Sequence, residues 1–191
     1  MTKTKYFILF LILWLIYLFT NYFNAERAAF NFWISLDNLI PFIPGFVIFY
    51  LLYFPLVLFQ FFIIKKEKDF INVAKANIFV IIISNIIFLL LPTKIIRPEL
   101  IVNDFSGFIL SLIYLIDNNV NLFPSLHVSM SLLAFLNIIK FKKNLKFTVL
   151  ATFILTTLST LFIKQHYVID IIGGLILGFI SYKIYFKKRG A

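Results

Sequence analysis

The chain contains no cysteine, and its 191 residues include only 8 acidic side chains and 2 histidines. The missing thiols exclude disulfides and thiolate metal sites. The few acids leave a formal net charge of +10. No linker, repeat or low-complexity tract divides the sequence, which predicts one domain over residues 1–191. What is abundant is apolar: 62% of the residues are hydrophobic and mean hydropathy is +0.99. A soluble core of this size does not need that much apolar surface, so composition predicts an all-α polytopic membrane protein. The positive charge resembles a nucleic-acid footprint. However, the cations sit in the connections between apolar runs, where a membrane explains them better and no nucleic-acid partner is expected.

Six apolar runs are long enough to propose as spans. Residues 6–20 follow Lys3 and Lys5, a basic start that resembles a secretory signal peptide. No small-residue cleavage site follows, and Trp14, Tyr17 and Tyr22 suit a helix that stays in the bilayer. Residues 39–64 contain Pro41, Pro44 and Pro55, which are expected to kink or delay the helix, and Lys65-Lys66-Glu67-Lys68-Asp69 closes the run. In residues 75–91 the polar Asn77, Ser84 and Asn85 are expected to face neighbouring helices. Residues 125–139 form a short span with a polar start, followed by 147–163 and 167–186, the last ending in Lys187-Lys188-Arg189. Residues 105–116 are apolar but too short to cross, and read as an interfacial or re-entrant segment. Gly173, Gly174 and Gly178 read as helix packing.

With six spans, fourteen of the Lys and Arg residues fall on one side and four, Arg27, Lys94, Arg97 and Lys164, on the other. The positive-inside rule then puts both termini in the cytoplasm. The expected location is a bacterial plasma membrane, with three connections facing outward.

Three stretches carrying chemistry share that outer face: Pro92-Thr93-Lys94-Ile95-Ile96-Arg97-Pro98, Asn121-Leu122-Phe123-Pro124-Ser125-Leu126-His127, and Ser159 through Asp170. Together they offer three cations, both histidines, a carboxylate and hydroxyls, a set that suits a phosphate group. Arg97 can grip two oxygens, while Lys94 and Lys164 add point charges. Pro124 is placed to start a helix whose free N–H groups and Ser125 hydroxyl point at an anion. If residues 167–186 are helical, His166 and Asp170 share a face, and the carboxylate orients one ring nitrogen while the other stays free. Each feature has a plain structural alternative: lipid-headgroup anchoring for Arg97 and Lys94, an ordinary helix start for Pro124-Ser125, a satisfied polar residue for His127, and a packed ion pair for His166 and Asp170. Their convergence on one face is what favours a site.

Arg97-Pro98, Pro124-Ser125-x-His127, and Ser159 with His166-x-x-x-Asp170 resemble the three signature motifs of the type 2 phosphatidic acid phosphatase superfamily. The order and spacing agree from about the third span to the sixth. The resemblance implies metal-independent phosphoryl transfer with no cofactor, and a lipid phosphate as the partner within membrane lipids. It implies that His166 attacks phosphorus and becomes a phosphohistidine, that Asp170 orients it, and that His127 protonates the leaving oxygen and then activates water. Arg97 and Ser125 would hold phosphoryl oxygens. Leu90 and Thr160 stand where the family has a lysine and an arginine, and Lys94 and Lys164 are candidate substitutes. Leu126 stands where phosphatases often have glycine. Pro-Ser-Leu-His and Lys-Gln-His-Tyr-x-x-Asp are closer to the inositol-phosphorylceramide synthase branch, which transfers the headgroup to an alcohol. Hydrolysis is therefore expected first and phosphotransfer second, ahead of a metal site on His127, His166 and Asp170 or a membrane protein without catalysis.

Overall fold

Pro55 shows how the sequence shapes this fold. It lacks an N–H and its ring crowds the carbonyl four residues back, at Leu51. Leu51 is where the helix over Val47–Leu51 stops, before the chain restarts at Tyr53–Phe62. The computed structural model describes residues 2–186. The cationic end Lys187-Lys188-Arg189 lies outside the described residues. Among the described residues the order is α1 (Lys3–Asn24), α2 (Val47–Leu51), α3 (Tyr53–Phe62), α4 (Glu67–Leu90), α5 (Phe105–Ile116), α6 (Leu126–Phe141), α7 (Lys146–Phe162) and α8 (Val168–Phe186). Short 3-10 turns at Ser35–Leu39, Pro44–Phe46 and Lys143–Leu145 link them, and among the described residues strand-like pairing is limited to two isolated bridges.

Among the described residues five helical stretches are long and apolar enough to cross a membrane: Lys3–Asn24, Pro44–Phe62, Glu67–Leu90, Lys143–Phe162 and Val168–Phe186. The run expected over residues 125–139 forms α6, a shorter helix of 16 residues. It is the central helix, packed against α3, α4, α7 and α8. Its buried side chains include Ser129, Ser131 and Asn137, which lower its hydropathy without exposing it to lipid. The segment 105–116 is the short apolar helix α5, as expected. Helix α4 begins eight residues before the expected span. The run read as a closing loop contributes Glu67 and Asp69 to its first turn, where acids complement the helix dipole.

The connections gather at two ends. At one end Phe30 N–H donates to Pro92 O (2.8 Å), Ile95 N–H to Asn119 O (3.0 Å) and Ile43 N–H to Phe162 O (2.9 Å). At the other end Lys3 Nζ reaches Lys65 O (2.5 Å) and Lys140 lies over Phe186 at 4.4 Å. Polar side chains inside the bundle pair with one another: Asn137 donates to Gln60 Oε1 (2.9 Å) and Thr20 to Asn85 Oδ1 (2.8 Å). In an apolar surround such interhelical bonds contribute roughly 1 kcal/mol each.

The glycines of α8 fix where the site forms. A Cβ at Gly174 would stand 2.7 Å from Ser125 O, and one at Gly178 would stand 2.7 Å from Ser129 O. Only glycine permits that approach of α8 to the start of α6. The contact is sealed by Ser125 N–H donating to Asp170 O at 3.0 Å. It sets the second and third sequence stretches side by side.

Candidate functional site

His166 belongs to the tight turn between α7 and α8. Lys164 N–H donates to Leu161 O (3.1 Å) and Gln165 N–H to Thr160 O (2.9 Å), the two bonds of a Schellman cap. That cap needs a left-handed residue, and here it is Lys164, with φ of 51°. The position normally takes glycine. His166 therefore precedes α8 and does not ride on it. Its Nδ1 lies 3.6 Å from Asp170 Oδ2, an ion-pair distance longer than a hydrogen bond. Asp170 Oδ2 is already held by Tyr167 N–H at 2.7 Å, a reach-back across the first turn of α8. The backbone N–H of Val168 is taken by Asp37 Oδ1 at 2.9 Å.

His127 sits one residue inside α6, behind Ser125. Ser125 is the N-cap: its Oγ accepts from Val128 N–H at 3.3 Å and it is fully buried. Pro124 thus precedes the cap and does not begin the helix, and the acceptor side of the Ser125 hydroxyl serves the helix. The His127 ring lies between Tyr50 and Tyr53, with centroids 4.7 and 4.6 Å away. Its Nε2 is hydrogen-bonded to Tyr50 Oη at 2.7 Å. The two histidine rings are 5.7 Å apart, edge to face.

Arg97 approaches from the extended segment after α4. Its Nη2 donates to Gln165 Oε1 (2.6 Å) and to Asp117 O (2.9 Å), and its guanidinium lies 4.0 Å over the Tyr114 ring. Burial pulls its pKa below the ordinary value, while Asp117 and Tyr114 act against that. Burial also raises the Asp117 carboxyl, against the opposing pull of the Tyr17 hydroxyl and Arg97. Lys164 is pulled below the ordinary lysine range by desolvation, with Asp37 opposing, and its Nζ donates to Ile40 O at 2.6 Å.

Arg97, Lys164, His166 and Asp37 line a cavity of about 710 Å³, together with Asn31, Trp33 and Asn38. Lys94 does not line it. Thr93 and Ile95 are buried, Arg97 is half-buried, and Lys94 and Ile96 are exposed, Ile96 still bordering the cavity. His127 lines a different chamber, of about 170 Å³, with Tyr17, Tyr50, Tyr53, Trp14, Leu18 and Asp117. Arg97 Nε, Gln165 Nε2, His166 Nδ1 and Asp170 Oδ1 are buried without a hydrogen-bond partner. Four such atoms around one spot mark a polar locus that the protein's own contacts leave unsatisfied. Among the described residues no group of three or more His, Cys, Asp or Glu side chains is arranged to hold a metal ion.

The sequence did not single out Tyr50, Asp37, Gln165 or Asp117. Gln165 lies inside the third stretch, and Asp37 is one of only 8 acids, so both carried a signal. Tyr50 is one of nine tyrosines in an apolar run, and nothing in its spacing marks it.

Bundled apolar helices that bring two histidines, a carboxylate and an arginine together at one end define a class: membrane-type helical proteins with two histidines close together at one end of the bundle. A model of the PAP2 superfamily matches residues 20–184, and the chain belongs to that superfamily, the type 2 phosphatidic acid phosphatases. Members are generally phosphoesterases, which supports a phosphatase-type function. The comparisons with curated proteins and with solved structures each gave no match.

Proposed function

We infer that the protein is an integral membrane phosphatase acting on a lipid phosphate, with His166 as the nucleophile and a phosphohistidine as the intermediate. The observation that carries this is the pair of histidine rings 5.7 Å apart, one beside a carboxylate, in stretches that resemble the superfamily's signature motifs. Both rings can reach one phosphoryl group, since catalytic contacts need roughly 3 Å. Asp170 beside Nδ1 favours the positive charge that a phosphorylated imidazole develops, and leaves Nε2 for phosphorus. Arg97, with Lys164 as a second cation, stabilises the charge on the transferring group. Ser125 is the remaining candidate to hold a phosphoryl oxygen, through its hydroxyl proton. Lys94, on the outward face, acts on approaching anions from a distance.

Topology follows the same logic. Helix α6 counts as the sixth span because it runs through the centre of the bundle, and the gathering of loops at two ends supports alternating crossings. The uneven split of cations favours cytoplasmic termini and an outer site in a bacterial plasma membrane. A second reading, transfer of the phosphoryl headgroup to an alcohol, is favoured by the large cavity. Asn31, Asn38 and Asp37 offer it polar groups beyond those that a phosphate needs. The test is phosphate release from a panel of lipid phosphates by the purified protein, with and without inositol. Free phosphate in both conditions supports hydrolysis. Inositol phosphate appearing at its expense supports transfer, and no release from any lipid contradicts both.

A further inference from the structure

We propose that Tyr50 is a positioning residue for proton transfer, accepting a hydrogen bond from His127 Nε2–H and so leaving Nδ1 as the nitrogen that exchanges its proton with the reacting oxygen. This rests on the phosphatase function inferred above. The hydroxyl is 2.7 Å from Nε2, and Tyr50 is 2% exposed, so water does not compete for the contact. Tyr53, on the other side of the ring, has its hydroxyl engaged with Met130 Sδ at 3.2 Å. Tyr50 is thus the phenol that answers Nε2, and Tyr53 only packs. The other titratable groups facing this space are His166 ahead of α8, and Tyr17 and Asp117 in the shared chamber.

The direction of the bond follows from the chemistry. A general acid starts as an imidazolium, in which both ring nitrogens are donors, so Tyr50 must be the acceptor in that state. In the first step the His166–phosphorus bond forms and the phosphorus–oxygen bond to the lipid alcohol breaks. The Nδ1 proton of His127 moves to the departing oxygen, and His127 is left neutral with its proton on Nε2. In the second step water attacks phosphorus, the His166–phosphorus bond breaks, and Nδ1 takes the proton from water. The Nε2–H···Oη bond persists through both steps, so the ring needs no reorientation. A neutral phenol suits this task better than a carboxylate, because it aims the ring without holding the imidazolium as strongly as Asp170 can hold His166.

Two measurements test the proposal. The chain has only two histidines, so nitrogen NMR of wild-type protein labelled at histidine reads each ring's tautomer without a substitution. Neutral His127 is expected to carry its proton on Nε2, and a proton on Nδ1 overturns the proposal. Tyr50→Phe keeps the packing and removes the acceptor. Turnover of an alkyl phosphate should fall about tenfold to a hundredfold with KM nearly unchanged, while 4-nitrophenyl phosphate, whose leaving group needs no acid, should change less than about threefold. Adding His127→Ala to Tyr50→Phe should cost no more than His127→Ala alone. An equal loss on both substrates or wild-type alkyl turnover overturns the positioning role, as does an additive double variant. If Tyr50→Phe does not fold, the wild-type tautomer decides. Wild-type protein that releases phosphate but has the Nδ1–H tautomer loses only the role of Tyr50. Wild-type protein that releases none from either substrate loses the phosphatase function and this role together.

Discussion

His166 and His127 are close neighbours that face different spaces. His166 lines the large cavity with Arg97, Lys164, Asp37 and asparagines, and its partner is a buried carboxylate. His127 lines a small chamber whose other walls are mostly aromatic and aliphatic, and its partner is a phenol. On the proposed mechanism, identical side chains would be prepared for opposite tasks. A carboxylate neighbour favours an imidazole that becomes and stays positive, as a phosphohistidine must. A phenol neighbour aims a ring that must give its proton away. On the proposed function, the polar cavity would take the phosphate group of a lipid substrate and the chamber the start of its apolar chain.

The comparison breaks most sharply at His166. His166→Ala should lower turnover by about 10⁴-fold or more on every substrate, because no other nucleophile with a carboxylate partner stands at this site. His127→Ala should cost about 10²-fold on an alkyl phosphate and only a few-fold on an aryl phosphate, since a good leaving group needs no acid. Steady-state rates on the two substrates check both, and equal losses from the two variants would erase the distinction. Arg97→Ala should cost about 10²-fold in kcat/KM, and Arg97→Lys should recover little. A lysine cannot reproduce a fork that bonds Gln165 and the Asp117 carbonyl while stacking on Tyr114.

The smallest effects separate the two candidate lysines. Lys164→Gly and Lys164→Ala should each weaken kcat/KM several-fold, while Lys94→Ala should stay within about twofold. Lys164→Gly should also be more stable than Lys164→Ala by about 1 kcal/mol in a thermal melt, because glycine relieves the left-handed backbone at this position. Desolvation lowers the Lys164 pKa, so rising pH removes its charge below the ordinary lysine value of 10.5. Phosphate binding should weaken along that alkaline limb, and Lys164→Arg should abolish the limb in a KM–pH profile.

The sequence made the apolar runs, the short helix α5 and the three motif stretches legible, because hydropathy and motif spacing are local properties. The gathering of those stretches at one end followed from counting crossings. Facing directions were harder to read. Lys94 was grouped with Arg97 by distance along the chain, but the bridges from Thr93 to Phe30 and from Lys94 to Val120 hold this segment so that Lys94 is exposed and outside the cavity lining. Ser125 looked free for an anion because the helix was expected to start at Pro124, ahead of the true cap at Ser125. Tyr50 could not be seen at all, since its role depends on how α2 lies against α6, and no local pattern encodes that.

Trapping the phosphoenzyme tests the proposed division of labour between the histidines. Wild-type protein should be mixed with a labelled substrate, quenched without acid and mapped by mass spectrometry. Label on His166 is expected in wild type and in His127→Ala with an aryl phosphate, with none in His166→Ala. Label that survives in His166→Ala and disappears in His127→Ala would reverse the two roles, and wild-type protein that turns over without any label would contradict the phosphohistidine mechanism.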